Sequence, residues 1–284
     1  MTGRSSSVVG GGWWTSAAGR GVVRVTDDGP LLPDALERHR DTSAGRIRSR
    51  SVGEPVRGVP EVVLVQGMAV ADYLMPAVAE LGRWTRAHLV ELPGFAGSGE
   101  PTRKLDVPGY AGAVAEWLEA ADLGPVVLAG HSSGTQVAAR AAVLAQNLGV
   151  GRVVAVVLAS PTVAPIARPL PRMLLRWRLD GRHEPPGLTG LHLREWRRAG
   201  VRGLLHLVRV HLRDHIEEPV SALAVPLLVL RGADDRLTTA EWARGLAVAT
   251  PSGRYQELPG AHTFLWGAPD SWSAPVRQLA REVT

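Results

Sequence analysis

Short runs of β-branched and aliphatic residues recur along this chain, with helix-like segments between them. Glu61–Gln66 (EVVLVQ), Pro125–Ala129 and Arg152–Ala159 are largely apolar runs of the length of a strand. A strand without regular polar alternation is typical of a sheet that is buried on both faces. Because these runs alternate with helices, we predict an α/β fold with a mostly parallel central sheet and helices on both faces. Sheets of this kind bind ligands at the carboxyl ends of their strands.

The rest of the pattern completes the sheet and its helices. We predict further strands over Arg46–Ser51, Arg86–Leu92, Pro226–Arg231 and Arg254–Leu258, and helices over Asp72–Leu81, Gly109–Ala121, Gly134–Gln146, Thr239–Ala249 and Ser271–Glu282. Asp72 is expected to cap the first of these helices, because an aspartate side chain can accept from the free amides of a first turn.

Two stretches of the chain lack this alternation. Residues 1–45 are rich in glycine, serine and arginine, so we expect a loosely ordered N-terminal arm with one short helix around Pro33–Arg40. Residues 161–221 contain no strand-like run and are rich in arginine, leucine, histidine and tryptophan, so we expect an inserted helical cap. The α/β core is therefore predicted to comprise residues 46–160 and 222–284.

The charge of the chain limits its partners less than the pI of about 10.5 suggests. The formal net charge is +5, and Lys104 is the one lysine among 32 basic residues. Arginine does not titrate near neutral pH, so the pI overstates how basic the protein is. The positive charge lies in the arm and in residues 161–221, whereas residues 59–160 are net negative. We expect a small-molecule substrate and no nucleic-acid partner.

Several classes of protein are excluded by what the sequence lacks. There is no cysteine, which excludes disulfides, thiolate metal sites and a cysteine nucleophile. No apolar run approaches the roughly 20 residues of a membrane span, and no apolar segment of a signal peptide follows Arg4. We therefore expect no membrane span and a cytoplasmic location. The five histidines of residues 161–221 have no metal-binding spacing, so no metal is expected.

A candidate nucleophile lies in Gly130-His131-Ser132-Ser133-Gly134, which fits the pattern G-x-S-x-G. The motif follows the predicted strand Pro125–Ala129 directly and precedes a predicted helix. A serine in such a sharp strand-to-helix turn is exposed at the edge of the sheet, and the helix start directs amides toward any developing oxyanion. The alternative is an ordinary glycine-rich turn with a capping serine. The position in the sheet favours Ser132 as a nucleophile.

A serine nucleophile needs a base, and the base needs an orienting carboxylate. His262 follows the predicted strand Arg254–Leu258, and Asp235 follows Pro226–Arg231. Both residues therefore lie at the same edge of the sheet as Ser132. Asp234 is the rival acid, because adjacent side chains point in different directions.

Two backbone amides are candidates for an oxyanion hole. One belongs to Ser133, which follows the candidate nucleophile. The other belongs to Met68, in the turn Gln66-Gly67-Met68 after the strand that precedes it.

Five sequence blocks in this order resemble the α/β-hydrolase-fold family. They are VVLVQGM (62–68), ELPGFAGSG (91–99), LAGHSSG (128–134), VLRGADD (229–235) and LPGAHTF (258–264). The resemblance covers about residues 46–284. It implies an α/β-hydrolase fold with a helical cap, a Ser132–His262–Asp235 triad, hydrolysis through an acyl-enzyme, and no cofactor. In the family the acid usually lies three residues after the glycine of its block, which favours Asp235.

The chain departs from the family pattern at two positions. Gln66 stands where the family usually has histidine before glycine, and Glu91 stands where it usually has aspartate before Leu-Pro-Gly. The serine at the elbow argues against the dehalogenase and epoxide hydrolase branches, which use aspartate there. Carbon–carbon bond hydrolases of the meta-cleavage type often carry tryptophan directly after the histidine, where this chain has Thr263.

The resemblance predicts a serine hydrolase that cleaves a carboxylic ester, thioester or lactone of a small hydrophobic substrate. Gln66, Trp177, Trp196 and Trp266 are the candidate substrate-binding residues. A meta-cleavage carbon–carbon hydrolase and a non-catalytic binding protein of the same fold are the alternatives. A homodimer is compatible with the sequence.

Overall fold

A computed structural model describes residues 34–149, 152–185 and 187–284, together with the backbone of two short segments nearer the N-terminus. Those two segments, β1 (Val25–Thr26) and β2 (Gly29–Pro30), pair antiparallel within an N-terminal unit. Most of the predicted arm, including Trp13 and Trp14, lies outside the described residues. The second unit extends from Pro33 to Thr284.

A mixed sheet of eight strands forms the centre of the second unit. Its strands are β3 (Leu36–Thr42), β4 (Gly45–Val52), β5 (Glu61–Val65), β6 (Ala87–Glu91), β7 (Val126–His131), β8 (Val153–Ala159), β9 (Leu227–Gly232) and β10 (Gly253–Leu258). They are ordered β10-β9-β8-β7-β5-β6-β4-β3. The first six of this order are parallel, and β4 and β3 are antiparallel to their neighbours. The predicted α/β fold with a mostly parallel sheet is confirmed.

Helices cover both faces of the sheet. They are α1 (Met75–Leu81), α2 (Val107–Ala120), α3 (Gly134–Asn147), α4 (Leu170–Asp180), α5 (Leu188–Arg213), α6 (Glu217–Ser221), α7 (Ala240–Val248), α8 (Phe264–Gly267) and α9 (Pro269–Glu282). Single 3-10 turns lie at Asp72–Leu74 and Pro165–Ala167. Because side chains alternate along a strand, Val63 and Val65 of β5 pack toward α2, α3 and α7, whereas Val62 and Leu64 pack toward α1 and α9.

Strand β5 is the point at which the strand order reverses. The chain passes from β5 to β6 on one side and later to β7 on the other. In such sheets the crevice outside the carboxyl ends of these strands is the usual ligand site. The turns after β5 and β7 therefore face each other across it.

The beginning of the core differs from the prediction. Residues 36–42 form β3, antiparallel to β4, instead of the predicted short helix around Pro33–Arg40. Most side chains of β3 are exposed, and charged residues occupy its middle, as is common on edge strands. Pairing with β4 outweighs the local pattern here, so the sheet begins ahead of residue 46.

The sequence suggested that Asp72 is the N-cap of the first helix, but in the structure it is not. The cap position is Ala71, which offers no side-chain acceptor. The Asp72 carboxylate instead lies 2.8 Å from Nη1 of Arg50 on β4. An ion pair across the sheet edge thus takes the side chain away from its own helix.

Glu91, the residue that replaces the family aspartate, organises the loop after β6. It is fully buried, and its carboxylate contacts Arg48 Nε at 2.8 Å and Arg50 Nε at 2.7 Å. It also accepts from the amide of Gly97 at 2.7 Å. Two arginines and a backbone amide compensate for the buried charge, so the longer side chain keeps a structural role.

Residues 161–221 form a helical insertion between β8 and β9, made of α4, α5 and α6. Helix α5 bends at Gly200, whose φ of 69° and ψ of 160° lie outside the helical region. Its C-terminal part is held against α3, since Gln136 and His211 exchange two hydrogen bonds and Arg140 Nε donates to Asp214 at 2.6 Å. Within the described residues, no helix is long and apolar enough to cross a membrane.

Candidate active site

Ser132 lies in a strained turn between β7 and α3. Its φ of +54° is in the left-handed region, which non-glycine residues rarely adopt. A Cβ atom at Gly130 would lie 2.3 Å from the carbonyl oxygen of Gly134, and one at Gly134 would lie 2.4 Å from that of Gln66. Both glycines are therefore required by close backbone approach. The turn leaves Ser132 partly exposed at the sheet edge.

His262 connects Ser132 to Asp235 through two hydrogen bonds. Its Nε2 lies 2.8 Å from Ser132 Oγ, and its Nδ1 lies 2.9 Å from Asp235 Oδ2. A carboxylate only accepts, so Nδ1 carries a proton, and Nε2 of the neutral ring is free to accept one from serine. The structure thus brings together the three residues that the sequence nominated from separate strand ends.

Asp235, and not Asp234, faces the histidine. Asp235 is buried, and its Oδ1 accepts from the amides of Leu237 and Thr238, both at 2.8 Å. Asp234 is exposed. Arg231 supports the loop by donating to the carbonyl oxygens of Asp235 and Thr238. Burial raises the pKa of Asp235, but the adjacent His262 outweighs it and holds the pKa below its ordinary value.

Acidic groups around His262 favour its charged form. Burial lowers the pKa of the imidazole, yet Asp235 outweighs this effect and raises the pKa to about 9, with added contributions from Asp180 and Glu184 of the helical insertion. In the resting state the ring is therefore readily protonated. Only the neutral ring can accept a proton from Ser132.

The two candidate oxyanion donors lie on the facing turns after β5 and β7. Met68 and Ala69 have φ values of 37° and 61°, so the turn is held in a left-handed conformation. The Met68 amide donates to Ser133 Oγ at 2.7 Å. The Ser133 amide has no acceptor within the described chain. The Met68 amide is therefore already occupied by the Ser133 hydroxyl in this structure.

Helix α5 holds the turn after β5 in place. The Trp196 indole Nε1 donates to the carbonyl oxygen of Met68 at 3.0 Å. The Glu195 carboxylate is buried and accepts from the amides of Ala71 at 3.0 Å and Asp72 at 3.2 Å. We term residues 67–72 the oxyanion turn. Sequence reasoning nominated Trp196 only as a substrate contact and missed Glu195, because neither residue lies near this turn in the chain.

Burial also changes the ionisation of Glu195. It raises the pKa of the carboxyl to about 7, and the neighbouring charge of Asp72 adds to the effect, while the two amides oppose it. A group that ionises near neutrality thus lies between the helical insertion and the oxyanion turn.

A second histidine, His131, supports the backbone of His262. His131 is buried, and its Nε2 lies 2.9 Å from the carbonyl oxygen of His262, which only accepts. Nε2 therefore carries the proton, and Nδ1 accepts from the Tyr73 hydroxyl at 2.5 Å. Burial lowers the pKa of His131 to about 3, so the ring stays neutral. This residue lies inside the G-x-S-x-G motif, yet its role was not foreseen.

The helical insertion also touches the loops that carry the histidine and the acid. Asp180, at the end of α4, accepts from the amide of Arg236 at 2.8 Å. Glu184 accepts from both the amide and the hydroxyl of Thr263. Burial raises the pKa of Glu184 to about 7. Two insertion carboxylates are thus fixed one residue away from Asp235 and His262.

The predicted substrate-binding residues lie in different surroundings. Trp177 and Trp196 make an edge-to-face contact with ring centroids 5.4 Å apart, and Trp177 is about half exposed. Trp266 is partly buried and packs against the core cluster that includes α1 and α9. Gln66 is fully buried, and neither of its amide atoms has a hydrogen-bond partner among the described residues. In the part of the chain that the structure describes, no group of three or more acidic or histidine side chains could hold a metal ion.

Sequence comparison identifies the family. A family model described as the alpha/beta hydrolase family matches residues 62–280. This span exceeds half of the chain, so the protein belongs to the alpha/beta hydrolase family. No curated protein matches the chain.

Solved structures of hydrolases share the fold. A thermophilic esterase from Thermogutta terrifontis superposes with a TM-score of 0.65 at 18% identity, over 88% of this chain and 99% of that one. A serine hydrolase involved in carbazole degradation gives a TM-score of 0.68 at 15% identity, over 87% and 98%. The thioesterase domain from the curacin biosynthetic pathway gives a TM-score of 0.64 at 13% identity, over 86% of this chain and 99% of that one. At identities this low, the superpositions establish the shared fold alone. Membership of the family is what supports hydrolase activity.

Proposed function

We propose that this protein is a serine hydrolase that cleaves a carboxylic ester, thioester or lactone of a hydrophobic acid through an acyl-enzyme. The observation that carries the proposal is the hydrogen-bonded chain from Ser132 through His262 to Asp235, with Ser132 in the strained turn at the sheet edge. Nucleophile, base and orienting acid are all present at bonding distance.

In the proposed mechanism, neutral His262 takes the proton of Ser132 while Oγ attacks the acyl carbonyl carbon. The amides of Met68 and Ser133 stabilise the oxyanion once the Ser133 hydroxyl has turned away. His262 then protonates the leaving alcohol or thiol, and the acyl group remains on Ser132. Water attacks this acyl-enzyme, gives its proton to His262, and releases the acid as that proton returns to Ser132.

The helical insertion acts as a cap in this proposal. Trp196 and Glu195 contact the oxyanion turn, and Asp180 and Glu184 contact the loops of the acid and the base. With Trp177 and Trp196 nearby, this favours an apolar acyl group over a charged one. A carbon–carbon hydrolase would need a cation for the substrate carboxylate, whereas the insertion side chains that bind the loops of Asp235 and His262 are the carboxylates of Asp180 and Glu184.

Two matched substitutions test the proposal with p-nitrophenyl esters of graded chain length. Ser132→Ala should abolish turnover and labelling by a fluorophosphonate probe. Asp235→Asn should lower kcat by roughly 10³- to 10⁴-fold, because the histidine loses its orienting acceptor. Asp234→Asn, at the exposed neighbour, serves as the control and should leave kcat unchanged.

Two results would overturn the proposal. Ester hydrolysis retained by Ser132→Ala would remove the serine from the mechanism. A wild-type protein that neither reacts with the probe nor cleaves any ester would instead be the non-catalytic binding protein of the same fold.

A further inference from the structure

Helix α4 exposes several large apolar side chains to solvent. Its exposed apolar side chains are Leu170, Leu174, Leu175, Trp177 and Leu179, each between 40% and 58% exposed. Only Met173, Arg176 and Asp180 of the helix are partly or fully buried. Large apolar side chains exposed singly are normal on a protein surface, whereas five of them on one short helix mark an interaction surface.

The same helix is basic on its outside. Arg172 and Arg178 are exposed, whereas the only acidic residue of α4, Asp180, is buried and holds the amide of Arg236. We term the exposed leucines together with Arg172 and Arg178 the α4 face. The insertion as a whole contains 11 arginines and 6 acidic residues. The α4 face therefore combines exposed leucines with uncompensated positive charge.

The α4 face is close to the candidate active site. Its helix ends at Asp180, which binds the residue after Asp235, and Trp177 touches Trp196 beside the oxyanion turn. Whatever binds the α4 face therefore lies near the candidate active site.

We propose that the α4 face docks on an anionic phospholipid bilayer. A basic helix with leucine and tryptophan on its outer face has the composition of interfacial helices, whose apolar side chains enter the headgroup region while arginines contact lipid phosphates. A second copy of the chain would bring one positively charged α4 face against another, and α4 has no exposed acidic side chain to pair with the arginines. A nucleic acid would satisfy the arginines but leave the leucines without an apolar partner. An anionic bilayer satisfies both groups.

The experiment is sedimentation of the full-length protein with vesicles of phosphatidylcholine alone or of equimolar phosphatidylcholine and phosphatidylglycerol. The wild type should bind the anionic vesicles and not the neutral ones, and binding should weaken as salt is added. Leu174→Ser with Leu175→Ser should lower the partition coefficient by about tenfold or more, since burying leucine side chains drives insertion.

Charge is tested separately. Arg172→Gln with Arg178→Gln should lower partitioning into the anionic vesicles by about 25-fold, because each arginine near an anionic surface contributes about fivefold. The matched controls are Arg277→Gln with Arg281→Gln on α9, and Leu148→Ser after α3, all exposed positions away from α4. The controls should bind like the wild type, and equal midpoints of thermal unfolding should verify folding in every variant.

Three outcomes would overturn the proposal. The first is wild-type protein that stays in the supernatant with anionic vesicles. The second is binding that the α4 variants and the controls lose equally. The third is wild-type protein that does not bind vesicles but has another partner at this face. That partner would be a second copy, if Leu174→Ser with Leu175→Ser dissociates a dimer, or DNA, if Arg172→Gln with Arg178→Gln abolishes DNA binding. Because the readout is binding, it is independent of whether Ser132 is catalytic.

Discussion

Replacing Trp196 by phenylalanine tests whether the helical insertion positions the oxyanion donor. Phenylalanine keeps most of the apolar contact but removes the indole Nε1, which donates to the Met68 carbonyl oxygen at 3.0 Å. This bond opposes relaxation of a turn whose Met68 and Ala69 both have positive φ. Without it, the Met68 amide should point less accurately at the transition-state oxygen.

The size of the effect follows from a single hydrogen bond. A neutral bond of normal length in a partly buried site contributes about 1 kcal/mol net. If that energy is lost from the transition state, kcat falls about fivefold. KM should change little, because the oxyanion interaction forms mainly in the transition state. The free energy of unfolding should fall by about the same 1 kcal/mol.

Trp84→Phe is the matched control. The Trp84 indole donates to Ser273 Oγ at 2.9 Å, is also partly buried, and lies between α1 and α9, away from the oxyanion turn. Trp84→Phe should lower the free energy of unfolding in urea by a similar amount and leave kcat unchanged. Steady-state kinetics with a short-chain ester compares the two variants. A normal kcat in Trp196→Phe, or an equal loss in Trp84→Phe, would refute the positioning role.

Two further predictions concern ionisation and backbone packing. Since only neutral His262 can accept the serine proton, kcat/KM should rise with pH through an apparent pKa of about 9. Glu184→Gln should shift this rise to lower pH, because it removes a negative charge that stabilises the imidazolium. A pH profile that the substitution leaves unchanged would contradict this prediction. Gly130→Ala should destabilise the fold by about 3 kcal/mol in urea unfolding, because the new Cβ would lie 2.3 Å from a backbone oxygen. Gly245→Ala, in an exposed and open helical position of α7, should instead stabilise by up to about 1 kcal/mol; equal effects of the two would refute the close-approach argument.

Much of the core was predictable because its signals are local. Strands buried on both faces have continuous apolar runs, and the observed bounds of β5 and β8 differ from the predicted ones by a single residue. The carboxyl ends of the parallel strands all lie at one edge of the sheet, so Ser132 and His262 could be nominated as neighbours although 130 positions separate them. The edge strand β3 was missed, since its stability comes from pairing with β4 and not from its own pattern.

The amino-acid sequence by itself determined the α/β class, the order of the chemical groups and the strand ends from which they extend. The family spacing favoured Asp235, and the tertiary structure shows that its side chain is the one that faces His262. The tertiary structure alone decided which carbonyl oxygen Trp196 binds, and that the Ser133 hydroxyl accepts from the Met68 amide. The physical reason is that periodicity specifies the face on which a residue lies within its own element. The direction of a side chain in a turn, and the partner it meets across more than a hundred residues, depend on how the elements pack.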